Sequence, residues 1–127
     1  MGNSIIETHN LDFCSLELYD DYMKVVVYEG VCITLELNNI LTEIATQFFK
    51  QKPFLYITHR IHSYAVDPTV YFETSQIKNL VAFIIVSNQD IYKKQFKIER
   101  TFFKKEFKYF ETLEKALAWK EKFLLDK

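Results

Sequence analysis

The chain has 127 residues, 49% of them hydrophobic and 26% charged, with a formal net charge of −1. That is the balance of one globular domain and excludes a disordered or collagenous chain. Its longest uninterrupted apolar run, Leu80 to Val86, falls well short of the about 20 residues that cross a bilayer, and MGNSIIETHN lacks the basic and apolar regions of a signal peptide, so a cytoplasmic domain without a membrane is expected.

A single domain is expected over residues 1–127, with 1–10 as a flexible N-terminal tail. Residues 12–18 (DFCSLEL) and 23–29 (MKVVVYE) are β-branched and aromatic runs around Tyr19-Asp20-Asp21-Tyr22, the pattern of a hairpin, and Val31 to Thr34 reads as a short continuation. Leu37, Ile40, Leu41, Ile44 and Phe48 then recur at helical spacing and predict an amphipathic helix that stops before Pro53. Phe54 to Thr58 and Leu80 to Ser87 are continuously apolar, as strands covered on both faces are, and are expected side by side and parallel. Between them Asp67-Pro68 signals a helix start, with a short helix to about Gln76. Ser87-Asn88-Gln89-Asp90 has capping-box spacing before a helix whose apolar arc holds Ile91, Tyr92, Phe96, Ile98, Phe102 and Phe103, opposite Lys93, Lys94, Lys97, Arg100 and Lys104. Phe107 to Phe110 is a last strand, and Thr112 caps a final helix that turns Leu113, Ala116, Leu117, Phe123 and Leu124 inward. The expected fold class is α/β: a mixed sheet with a leading antiparallel hairpin, βα crossovers and about four helices.

From residue 12 to 125 the segments ITLEL, KPFLYITHR, NLVAFIIVSN and FKYFETLEKALAWK, in that order, resemble the STAS or anti-sigma-factor-antagonist superfamily in a divergent bacterial branch. HRIHSYAVDPTVY is similar to an R-x-x-S-Y-x-x-D-P-x-x-Y stretch of an uncharacterised subfamily there. The resemblance implies a small non-enzymatic regulatory or binding domain. The turn Thr58-His59-Arg60-Ile61-His62-Ser63-Tyr64 lacks the glycine and the Asp-Ser pair of phosphoregulated members, so no phosphosite is carried over.

The densest polar constellation is His59, Arg60, His62, Ser63, Tyr64 and Asp67, just past a central strand where open α/β sheets bind ligands. Arg60 is one of two arginines, and its planar fork suits a carboxylate or phosphate. The plainer reading is that it pairs with Asp67 or a carbonyl and shapes the loop. His59 and His62 lack a third metal ligand nearby, and Ser63 lacks a glycine-lined elbow, so neither a metal site nor a hydrolase follows. Asp67 is explained by capping. Lone Cys14 and Cys32 read as reduced core thiols; with only Gly2 and Gly30 neither a GxxxxGK[ST] phosphate cradle nor a GxGxxG turn can be written, and no cofactor is expected. Residues 93–108 hold seven basic and two acidic side chains, whereas residues 1–47 hold eight acidic and one basic. A basic helix can meet an acidic protein partner or the acidic half of a second copy, a homodimer; the plainer reading is a solvated face. The acidic isoelectric point near 6.3 argues against nucleic acid. Glu99 falls within the apolar arc and needs a partner or an opening. The 12 Phe and 8 Tyr fill a core or, as an alternative function, line a pocket that carries an apolar ligand; a histidine-dependent enzyme is the third reading.

Overall fold

The computed structural model describes residues 4–125. Its main sheet runs β1 (Glu7–Asn10), β2 (Cys14–Leu18), β3 (Tyr22–Val27), β5 (Phe54–His59), β7 (Leu80–Val86) and β8 (Glu106–Phe110), in that spatial order. The first three strands are antiparallel and the last four are mutually parallel. The two continuously apolar segments are therefore parallel neighbours, and both faces of β5 and β7 are covered. Continuous hydrophobicity made this legible, because a strand with helices on either side has no face for polar residues.

Three helices pack on one face of the sheet. α1 (Leu35–Phe49) starts at Thr34, whose Oγ1 accepts the Leu37 N–H, and buries Leu41, Ala45 and Phe49. It ends where Lys50 takes a left-handed φ of 57° before Pro53. α2 (Thr69–Ser75) is capped as its sequence predicts: the Asp67 carboxylate accepts from Thr69 N–H at 3.0 Å and from its hydroxyl at 2.8 Å. α3 (Asp90–Glu99) is followed by a 3-10 turn over Arg100–Phe102. On the other face α4 (Leu113–Leu125) is, among the described residues, the single helix; it lays Ala116 and the partly buried Leu117, Trp119 and Phe123 on Leu55, Ile57 and Ile84. Thr112 caps it through the Lys115 N–H. Trp119 stacks on Phe123, with ring centroids 4.5 Å apart.

The structure differs from the sequence reading at five places. Residues 7–10 are not tail: Glu7–Asn10 pairs antiparallel with β2, in a register a polar ETHN string does not advertise because its side chains stay largely exposed. Residues 31–34 do not extend the main sheet; β4 (Cys32–Ile33) pairs with β6 (Ala65–Val66) in a two-stranded sheet of its own. There Cys32 is exposed, while Cys14 is a core thiol. The capping box before α3 does not close, since the Ser87 hydroxyl accepts from Gln89 N–H and the N-cap, Gln89, makes no side-chain bond. The helix is also shorter than its apolar arc, ending at Glu99, and Ile91, Ile98 and Phe102 are exposed. Tyr92, Phe96 and Phe103 of that arc do face inward, and Glu99 turns with them towards Arg60 at the end of β5. No helix among the described residues is long and apolar enough to cross a membrane.

Candidate functional site

Side chains alternate along β5, so Phe54, Tyr56 and Thr58 turn to the three-helix face and Leu55, Ile57 and His59 to the α4 face. Arg60 follows, its N–H held by the Val86 carbonyl at 2.8 Å, and its side chain enters the three-helix layer, only 2% exposed. A guanidinium cannot lose its charge, so burial demands partners for it. Nε donates to the Tyr64 phenol at 3.2 Å, Nη1 to Gln95 Oε1 at 3.2 Å, and Nη2 to the Tyr71 phenol at 2.9 Å and to Glu99 at 3.3 and 3.4 Å. The rings of Tyr64 and Tyr92 flank the guanidinium carbon, with centroids at 5.1 and 5.3 Å. Burial alone would lower the Arg60 pKa; the facing phenols and Glu99 outweigh it and hold the pKa above its ordinary value. Burial pushes the Tyr64 and Tyr71 phenols up, so both stay neutral near pH 7. A 2.7 Å contact to the Thr58 hydroxyl fixes Tyr64.

The assembly is not sealed. Between β6 and α3 lies a cleft of about 260 Å³ lined by Arg60, Tyr64, Ala65, Val66, Gln95, Ile98 and Glu99, at the carboxyl end of the parallel strands. Tyr64, Gln95, Tyr71 and Glu99 take four of the five guanidinium hydrogens, which leaves one on Nη1 beside Gln95. The cleft thus offers an acceptor carboxylate, an amide and a guanidinium edge within one small volume.

Of the residues singled out in sequence, the structure brings Arg60, Tyr64 and Glu99 together and places His59, His62, Ser63 and Asp67 elsewhere. His59 is half-buried on the opposite face, where burial first and the Lys24 charge second lower its pKa. His62 and Ser63 are exposed; Ser63 N–H donates to Glu29 Oε1 at 2.9 Å, and its carbonyl accepts from Gly30, whose φ of 79° suits glycine. Arg60 pairs with Glu99, not with Asp67 or a carbonyl. Sequence reading marked Glu99 as a carboxylate in need of a partner, and that partner is Arg60. Tyr71, Tyr92 and Gln95 were missed as site residues; the D-P-x-x-Y spacing puts Tyr71 in the first turn after the cap, the one signal that could have found it. Lys120 was missed too. It is 1% exposed and bonds both oxygens of Asp21 at 2.8 and 3.0 Å, and its spacing of four from Ala116 was the sequence cue. No group of three or more metal-ligating side chains occurs among the described residues.

The abundant aromatics interlock: Phe83 meets Tyr56, Tyr71, Phe103 and Phe107 at centroid distances from 4.4 to 5.7 Å. The pocket among Tyr56, Tyr64, Tyr71 and Phe83 measures about 20 Å³, the room of one water. Comparison of the chain with protein-family models, with curated proteins and with solved structures finds no match.

Proposed function

We propose that this chain is a STAS-like, non-catalytic cytoplasmic binding domain whose β6–α3 cleft receives a small ligand carrying an anionic group, in exchange with Glu99 on Arg60. One observation carries the reading: a guanidinium buried to 2% and gripped by Tyr64, Tyr71 and Tyr92 still presents an edge to a cleft at the carboxyl end of the parallel strands. A charge fixed in this way loses little freedom when a ligand arrives. The STAS-like assignment rests on the order of the segments ITLEL, KPFLYITHR, NLVAFIIVSN and FKYFETLEKALAWK in the sequence. Binding is favoured over catalysis because His59 lies across the sheet from Arg60, and no hydrogen bond joins either loop histidine to Ser63 among the described residues. Binding at the rim is favoured over interior carriage of an apolar ligand because the aromatic core holds only about 20 Å³.

The test is a titration of the protein with phosphate, sulfate, acetate and citrate, followed at the Arg60 Nε–H resonance, in wild type and Glu99→Gln. A saturable shift, tighter in Glu99→Gln because the competing charge is gone, is expected. An Arg60 signal indifferent to all four anions in both proteins overturns the reading. Ile98, 66% exposed on the cleft wall, favours a second reading in which a protein partner covers the mouth. Partners captured by wild type and lost in Ile98→Asp would decide for it.

A further inference from the structure

We propose that the groove between α3 and β8, a surface separate from the Arg60 cleft, binds an acidic segment of a partner protein laid along β8 as an added strand. The sheet ends at β8. The Phe110 carbonyl accepts the Ser87 N–H at 3.0 Å, so in this parallel ladder residues 106, 108 and 110 turn their backbone groups to β7, and those of Phe107 and Tyr109 point away from the sheet. Such an edge is a template for another chain. Beside it lies a groove of about 350 Å³ walled by Lys93, Lys97, Arg100 and Lys108 and floored by Phe96, Phe107 and Tyr109. Lys93 reaches Glu111 only at 4.0 Å and Lys108 reaches Glu106 at 3.3 Å; Lys97 and Arg100 form no ion pair among the described residues. Unspent positive charge along a free strand edge is complementary to a peptide that brings carboxylates in extended form.

The geometry also specifies the pattern. Alternate residues of an added strand face the same way, so acidic side chains at every second position meet the α3 cations, and the residues between them meet Lys108 and the Trp119 ring below it. A single-stranded nucleic acid fits less well. Phe107 is only 8% exposed, Phe96 packs edge-on against it with centroids 5.1 Å apart, and the Arg100 guanidinium already lies over the Phe96 ring at 6.0 Å, so the floor is no row of bare ring faces on which successive bases stack.

The experiment measures fluorescence anisotropy of a labelled Glu-Val-Glu-Val-Glu-Val-Glu peptide, a control with proline replacing each valine, and a single-stranded oligonucleotide, alongside hydrogen exchange of the protein's amides. The alternating peptide is expected to bind, to slow exchange at Phe107 and Tyr109 about tenfold or more, and to lose at least tenfold in affinity to a protein with Lys97→Glu and Arg100→Glu, both exposed and so harmless to the fold. No binding, equal binding of the proline control, unchanged exchange at those two amides, or tighter binding of the oligonucleotide each overturns it.

Discussion

Removing the Glu99 carboxylate leaves the Arg60 guanidinium inside the protein with its charge uncompensated. Glu99→Ala deletes the contacts at 3.3 and 3.4 Å; Tyr71, Tyr64 and Gln95 remain but are neutral. Breaking a buried pair costs about 3–5 kcal/mol, against about 0–1 for a pair in solvent. The Arg60 and Glu99 side chains are 1% and 13% exposed, so the pair belongs to the first class, and the cleft beside it admits water, which sets the loss near the lower end, about 3 kcal/mol. For a domain of this length that is a drop in Tm of about 10 °C, read by circular dichroism on melting. Arg60→Met with Glu99→Leu removes both charges and leaves mainly the Tyr71 phenol without its partner, about 1–3 kcal/mol. The double variant is therefore expected to be at least about 2 kcal/mol less damaged than the sum of the singles, measured by urea unfolding. Single and double losses that add to within about 0.5 kcal/mol, or a Glu99→Ala loss below about 1 kcal/mol, refute the reasoning.

Asp21→Ala leaves the buried Lys120 ammonium with only the solvent-exposed Glu121 carboxylate at 3.1 Å and is expected to cost about 2 kcal/mol in urea unfolding, whereas Asp20→Ala, which breaks the exposed pair with Lys52, costs less than about 1 kcal/mol. His59 has its pKa lowered in the folded state, so the unfolded chain binds the extra proton first: its contribution is complete above about pH 6.5 and declines as the pH falls below that. His59→Gln should flatten the stability profile between pH 7 and 5, and an unchanged slope would count against the burial of its ring. Burial pushes the Cys14 thiol up to about 12, so iodoacetamide at pH 8 should add one group to the folded protein, at exposed Cys32, by intact mass. Two adducts on the folded protein would contradict the closed core.

The parallel centre of the sheet was legible because doubly covered strands lose their polar alternation, and the caps at Asp67 and Thr112 were legible because each is a local event between near neighbours. Edges and long-range pairs were not. The strand at residues 7–10 is held by backbone bonds to β2, which any sequence can make, so ETHN carries no mark of it. The inward face of α3 was legible in Tyr92, Phe96 and Phe103 but read too wide, because the Arg60–Glu99 attraction and the Tyr92 ring beside the guanidinium decide which part of the arc turns inward and leave Ile91 and Ile98 in water; that is a tertiary effect, and period alone ranks isoleucine above glutamate. Lys120 was hidden for the same reason. Lysine reads as a surface residue until the acid that receives it, nearly a hundred positions earlier, is known.

α4 covers β5, β7 and β8 and reaches β3 only at its start, where Lys120 lies over the Tyr22 ring, and the register beyond leaves a strip of exposed Thr8 and half-buried Glu17 and Lys24. The β1–β2 ribbon is thus glued down from beneath alone, while the parallel strands are clamped between two layers. Opening of the molecule should start at that ribbon and travel inward, with the β1 and β2 amides exchanging with deuterium long before those of β5 and β7.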